Sequence, residues 1–410
     1  MIQHIHILDP QLKGVGGHYL NHDAQLITEL KRRQLGVSLY GRKGTPVTCA
    51  GVRAMPVFTH DIFQEMANDE QVWAIENFHN VNQAFLADLC QIPPDRLGPN
   101  HLLYFPNLLQ NQLYGIALWL ARLPAAQRPQ IAVMLRYLNH AMDYVQHRAN
   151  KDVIALNYRY AARTLRQVQP RAMICADTRE LTAAYRDIIG FDALELPNPM
   201  DVSSLLQRGV SRAPDGRPTI VYQGHTSALR GFHFLPEIIL RCRDLMPKPR
   251  FVIQLQNRDA LQGELAPVAK ALNQLRGPEV ELINGALNNE AYLGLLSRAD
   301  IVLLPYSPTF YGHGSSGVFT EAASVGKVIV TSPETVPARQ GRDHGLGVVV
   351  ADEWTPSAMA DAATTALRDL PMLQQRAAAG AQDYREENCA GTLWDRVLGT
   401  LDPQAATRAA

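Results

Sequence analysis

The stretch Tyr311–Ser332, YGHGSSGVFTEAASVGKVIVTS, carries the clearest pattern in the chain. An apolar run, Ile301–Leu304, precedes it. Its glycine- and serine-rich start leads into a helix-like segment with one carboxylate, Glu321, and then a second apolar run, Val328–Thr331. The order is strand, turn, helix, strand. Such a turn leaves free backbone N–H groups at a helix N-terminus, a favourable place for phosphate. Glu321 is expected about two turns further in, where it meets a polar part of the same ligand. Few ligands combine a diphosphate with hydroxyls, and nucleotide sugars are prominent among them.

Outward from this stretch, short apolar strands alternate with helix-length segments, which predicts parallel sheets covered by helices. In the first half, strands are expected at Ile2–Leu8, Val37–Tyr40, Leu102–Phe105, Ile131–Leu135, Ala172–Ala176 and Leu194–Leu196. Val72–Cys90 reads as strand then helix, with further helices at His18–Arg33 and near Asn111–Leu123. Pro197, Pro199, Pro214, Gly216 and Pro218 have the composition of an exposed linker. The pattern then restarts with strands at Thr219–Tyr222, Phe251–Leu255, Val280–Ile283 and Val348–Val350. Helices are expected at Phe232–Leu245, Gly263–Leu275, Pro356–Leu367 and Gln374–Leu401, and one capped by Asn288 or Asn289 runs to Arg298. The expected division is a Rossmann-like domain over 1–200, a linker over 201–217 and a second Rossmann-like domain over 218–385. A C-terminal helix and tail over 386–410 is expected to pack back toward the first domain. Two facing doubly wound domains place a ligand in their cleft, at the carboxyl ends of the strands.

Composition narrows the function. A chain of 410 residues suits two domains. Lys plus Arg (39) equals Asp plus Glu (39), which argues against a nucleic-acid binder with a strong basic footprint. Five scattered cysteines without a CxxC pair fit a reducing compartment and neither a disulfide framework nor a zinc site. The N-terminus MIQHIHILDP lacks the features of a signal peptide, and no apolar run approaches the roughly 18 residues that span a membrane. A cytoplasmic location is expected, with at most peripheral contact with the inner face of the membrane.

The glycine turn after the first strand carries Gly14, Gly16 and Gly17. Tyr19 stands where a dinucleotide fingerprint needs its third glycine, and Tyr40-Gly41-Arg42-Lys43 stands where an acidic residue is needed. NAD is therefore disfavoured, and an NADP reading rests on Arg42 and Lys43 alone. The turn still permits close backbone approach to a ligand. Gly224–Gly231, GHTSALRG, follows the first strand of the second half, and its Arg230 suits bidentate pairing with phosphate. Glu321 lies among Phe319, Ala322, Ala323 and Val325, so a carboxylate there needs a partner, and a ribose diol donates two hydroxyls.

These motifs, in this order, resemble the C-terminal domain of GT-B glycosyltransferases, in particular family 4 and its relatives. Leu196–Asp201 is similar to the interdomain IPNGVD, Gly224–Gly231 to the phosphate loop, and Ile301–Pro305 to the ADVFVLPS strand. Ser316–Ser332 is similar to GFG…EAMACGxPVVAS, and Gly345–Val350 to GxxGxLV. The likeness covers about half of the chain. It implies two Rossmann-like domains and a nucleotide-sugar donor held mainly by the second.

Residue by residue, the resemblance implies Glu321 on the donor ribose and Arg230 in place of a phosphate-binding lysine. It puts the backbone of Ser315, Ser316 and Gly317 on the diphosphate, main chain near Gly285 and Ala286 on the base, and Gly16 and Gly17 closing on the donor. Two departures stand out. His313 occupies the place of a first glutamate eight positions before Glu321, and His225 replaces an arginine of the phosphate loop. The catalytic-region histidine falls at Arg136 or at His140, one turn later. His18, Tyr19, Arg136 and Tyr137 are candidates for contact with the acceptor, a saccharide or lipid-linked molecule.

The transition state is oxocarbenium-like, with negative charge growing on the leaving phosphate. Arg230 and the helix N-terminus would stabilise that charge. A DxD-type motif is absent, so the expected reaction is metal-independent transfer with retention, without a cofactor beyond the donor itself. A GT-B nucleotide-sugar epimerase and a non-catalytic nucleotide-sugar-binding subunit are the alternatives.

Overall fold

The computed structural model describes residues 1–13, 18–44, 46–138, 151–208, 215–246, 248–255, 263 and 265–401, the side chains of His18 and Lys151 excepted. The chain forms two compact units. The first comprises Met1–Pro199 with Cys389–Ala410, and the second comprises Met200–Asn388.

In the first unit the strands are β1 (His4–Leu8), β2 (Gly36–Arg42), β3 (Thr48–Cys49), β4 (Val52–Arg53), β5 (Met55–Phe58), β6 (His101–Leu108), β7 (Gln130–Leu135), β8 (Met173–Ala176) and β9 (Leu194–Glu195). Seven of them make a parallel sheet in the order β5-β2-β1-β6-β7-β8-β9. The other two, β3 and β4, pair as a short antiparallel ribbon. Strand order reverses between β1 and β6. There the carboxyl ends of two neighbouring strands open toward opposite helices, which is where ligands of such sheets bind.

The second unit has β10 (Thr219–Tyr222), β11 (Arg250–Leu255), β12 (Val280–Asn284), β13 (Ile301–Leu304), β14 (Val328–Thr331) and β15 (Val348–Val350). Their order is β12-β11-β10-β13-β14-β15, all parallel, with the reversal between β10 and β13. β10, β13 and β14 are buried at every position. That is why they read as continuous apolar runs and not as alternating patterns.

Several sequence expectations need correction. Val72–Cys90 holds no strand, only the helix Trp73–Leu89. The strand is instead β5, whose Pro56 suits its place at the sheet edge. Gln374–Leu401 is two helices, Leu370–Glu387 and Ala390–Leu401. The amide of Asn388 turns back to the Tyr384 carbonyl at 3.0 Å, where the first of them ends. Residues 201–217 include a helix, Ser203–Arg208. The segment Phe232–Leu245 starts as a short 3-10 turn, and its α-helix is Leu235–Cys242. Helices at Lys151–Val168, Arg179–Ile189 and Val336–Asp343 complete the layers.

The terminal helix Ala390–Leu401 belongs to the first unit. Its Trp394 is fully buried there, with the indole N–H donating to the Leu26 carbonyl at 3.3 Å and the ring edge-on to Tyr104.

Candidate functional site

At the β10/β13 reversal, two loops meet. One is Gly224–Gly231, after β10. Gly224 has φ +105°, and a Cβ there would lie 2.3 Å from Nη1 of Arg230. Gly231 has φ +65°, and a Cβ would lie 2.0 Å from the Pro305 carbonyl. Both positions therefore need glycine on conformational and steric grounds. The second loop follows β13 and contains the short helix Pro308–Tyr311. The Ser307 N–H donates to the Leu229 carbonyl at 2.8 Å and ties the two loops together.

Arg230 reaches across this junction. Its Nε–H donates to the Tyr311 hydroxyl at 2.9 Å. The Tyr311 ring stacks on Tyr306 with centroids 3.9 Å apart and planes 16° apart. The Tyr306 hydroxyl pairs with Oγ of Ser316 at 3.0 Å. Ser316 Oγ also accepts from the Phe319 N–H at 3.2 Å, which makes Ser316 the N-cap of the helix Gly317–Ser324. Burial raises the phenols of Tyr306 and Tyr222, so the groups around the guanidinium are neutral. Among the described residues Arg230 makes no ion pair. A cation with neutral partners next to a capped helix N-terminus is an arrangement that attracts an anion.

Glu321 is the fifth residue of that helix, one turn in and not two. It is only 4% exposed. Tyr292, on the helix Asn289–Arg298, donates to its Oε2 at 2.7 Å. Burial pushes the Glu321 carboxyl up to about 7, and the Tyr292 hydrogen bond opposes that rise. Oε1 takes no hydrogen bond among the described residues, which leaves it open to a donor from a ligand.

Gln254, at the end of β11, links the remaining parts. Its Oε1 accepts from the Gly224 N–H at 2.9 Å, and its Nε2 donates to the Gly285 carbonyl at 3.4 Å. Gly285 has φ +94° and is followed by the exposed Ala286. Gln223, at the β10 end, is buried with both amide atoms unpartnered among the described residues. Buried amides are rarely left so, and such a group marks a place where water or a ligand sits.

The sequence-predicted residues of this unit thus gather at one edge of one sheet: Arg230, Ser316, Gly317, Glu321 and Gly285. Ser315 is half-buried beside the cap, whereas His225 and His313 are exposed. Sequence reasoning missed Gln254, Tyr292, Tyr306 and Tyr311. The two tyrosines after β13 lie five positions apart in a loop, a weak signal for stacking.

In the first unit, Arg136 follows β7 and is closely held. Its Nε donates to the Pro106 carbonyl at 2.9 Å, and its Nη1 to Asp177 at 2.9 Å and Asn198 at 2.8 Å. Its Nη2 donates to Nε2 of His22 at 2.9 Å. Tyr19 and Tyr137 are half-buried nearby. Gly16, Gly17, His140 and the His18 side chain lie outside the described residues. Among the described residues no cluster of three or more His, Cys, Asp and Glu side chains could hold a metal ion, and no helix is long and apolar enough to cross a membrane.

The fold and this edge define a class, the GT-B α/β proteins. Solved structures share it over nearly the whole chain. Anabaena HepE in complex with UDP matches with a TM-score of 0.59 at 15% identity, covering 97% of this chain and 99% of that one. Sucrose-phosphate synthase from Thermosynechococcus elongatus matches at 0.65 and 13% identity, with both chains covered fully. A UDP-forming trehalose-phosphate synthase from Burkholderia xenovorans matches at 0.69 and 13%, covering 99% and 100%. No protein-family profile and no curated protein sequence matches this chain.

Proposed function

We propose that the chain is a glycosyltransferase that moves a sugar from a nucleotide-diphosphate sugar to a saccharide or lipid-linked acceptor. The observation that carries this reading is the run Arg230–Tyr311–Tyr306–Ser316 with Glu321 one turn beyond, all at the switch point of the second sheet. The similar fold of HepE solved with UDP supports it.

In this reading Oε1 of Glu321 accepts from the ribose diol. Arg230 and the N–H groups of Ser316 and Gly317 take the diphosphate. Main chain at Gly285 and Ala286 faces the base. The bond from the anomeric carbon to the diphosphate oxygen breaks, and a bond to the acceptor hydroxyl oxygen forms. The hydroxyl proton leaves with the diphosphate, and Arg230 stabilises the charge that grows there. Transfer is metal-independent and retains configuration. Complete loss of activity on adding EDTA would refute the first point, and an inverted product by NMR the second.

A screen of nucleoside diphosphates and their sugars by thermal shift tests the donor class, because a ligand of the folded state raises its melting temperature. The exposed His313, where the resemblance implies an acid, favours one second reading: a non-catalytic nucleotide-sugar-binding subunit. Tight donor binding without turnover on any acceptor would select it.

A further inference from the structure

Gln223 follows β10 at the reversal of the second sheet. It is 2% exposed, and neither Nε2 nor Oε1 has a hydrogen-bond partner among the described residues. A buried amide in that state has lost its hydrogen bonds with water, at a cost that a bound molecule can restore. Strand alternation sets its face. Ile220 and Tyr222 belong to one core cluster, and Val221 belongs to the other. Continued by one residue, the alternation puts Gln223 on the face of Val221. Register agrees: Tyr222 pairs with Ile253, so Gln223 lies beside Gln254 of β11.

That face is covered by the helices Asn289–Arg298 and Gly317–Ser324. Leu293, Leu296, Val318 and Phe319 share the cluster of Val221, and Tyr292 packs against it. The same two helices supply Tyr292 and Glu321. A Cβ at Gly224, the next residue, would lie 3.4 Å from Cγ2 of Val318. Val318 and Glu321 are three positions apart, so they are neighbours on one face of their helix. On the β11 side, the Gln254 amide is committed to the Gly224 N–H and the Gly285 carbonyl. On the β13 side, the pairing of Val221 with Val302 brings the apolar Leu304 beside Gln223. Of two adjacent glutamines, one braces the loop and the other keeps a donor and an acceptor unused next to the Glu321 helix.

We propose that Gln223 reads the ribose diol together with Glu321 and selects ribonucleotide over deoxyribonucleotide donors. An ionised Glu321 only accepts, so a hydroxyl that donates to its Oε1 still needs a donor for its own lone pairs, and the second hydroxyl needs an acceptor. The Gln223 amide supplies both: Nε2–H donates to the first hydroxyl, and Oε1 accepts from the second. The amide is closed to bulk water, so a sugar that lacks one hydroxyl leaves a buried partner unpaired. The inference rests on the nucleotide-sugar reading above and narrows it to donors built on ribose.

The test titrates ribonucleoside diphosphates and their 2′-deoxy and 3′-deoxy counterparts into the full-length parent and Gln223→Met. Methionine keeps the length of the side chain and removes both polar atoms. The parent should prefer the ribose form about tenfold. Gln223→Met should cut the preference over at least one deoxy form to about threefold or less, with the affinity for that deoxy form within about twofold of the parent. A preference that survives over both deoxy forms overturns the proposal. So does an equal loss of affinity for ribose and deoxy forms, which an amide serving the fold alone would give. If Gln223→Met does not fold, the smaller Gln223→Leu is read in the same way. The unliganded chain gives an independent check: without an unpaired buried amide, Gln223→Met should melt at or above the parent temperature. A clear fall means that the amide is already satisfied, and it overturns the proposal. A parent that binds no nucleoside diphosphate overturns the nucleotide-sugar reading and this inference together. A preference lost in Glu321→Ala and kept in Gln223→Met overturns this inference alone.

Discussion

The two sheets reverse strand order in the same way and furnish the two openings with opposite electrostatics. At the β10/β13 opening Arg230 has neutral phenols for neighbours, and the nearest helix presents its capped N-terminus. At the β1/β6 opening Arg136 is held by Asp177, Asn198, His22 and a carbonyl. Topology supplies the opening, and side chains decide what enters it. A cation whose partners are neutral is free to meet an anionic ligand. A cation whose charge is absorbed by carboxylates serves the protein's own architecture.

Substitution of each arginine breaks this contrast most sharply. Arg136→Ala removes the buried cation that Asp177, Asn198, His22 and the Pro106 carbonyl share and should cost about 3–5 kcal/mol of stability, read by chemical denaturation, with donor affinity nearly unchanged. Arg230→Ala strands no carboxylate. It should leave stability within about 1 kcal/mol and weaken donor binding by about 2–3 kcal/mol, read by calorimetry. If both arginines affected donor binding equally, the contrast would fail.

Gly224→Ala is a finer probe. A Cβ at φ +105° meets the Arg230 guanidinium, so the loop should lose about 1–2 kcal/mol, and donor affinity should fall as Arg230 is displaced. Tyr292→Phe has a smaller effect. It removes one hydrogen bond to Glu321, about 1 kcal/mol, and raises the carboxyl further.

The smallest effect is in pH dependence. Glu321 is raised from 4.5 to about 7 in the folded chain. Its proton therefore contributes stability that is present below 4.5 and lost as pH rises through about 7. The melting temperature of the unliganded parent should fall over that window more than that of Glu321→Gln. Nucleotide binding should tighten over the same window, because the ionised carboxylate is the better acceptor for a diol. An identical pH response in parent and variant would remove Glu321 from the proposed donor site.

Much of the second unit was legible in the sequence. β10, β13 and β14 are apolar at nearly every position because both faces are covered, and Gly224 and Gly231 mark the loop between them. Glu321 was legible because a lone carboxylate in an apolar helix demands a partner. What was not legible is the contact of residues distant in the chain. Arg230 meets Tyr311, 81 positions away, and no local pattern announces that pairing. The edge strand β5 was missed for a related reason: its short MPVF run contains a proline, and the stronger apolar signal lay in the helix after Val72.

In the proposed reading Glu321 anchors a ribose while Arg230 holds the diphosphate. The direct measurement is calorimetric titration with ribonucleoside diphosphates of each base and their 2′-deoxy counterparts, into the parent chain and Glu321→Ala. The parent should prefer the ribose form of its base about tenfold, and Glu321→Ala should bind both forms equally with the diphosphate contribution retained. A parent that does not distinguish the two sugars, or a preference that survives in Glu321→Ala, would contradict it.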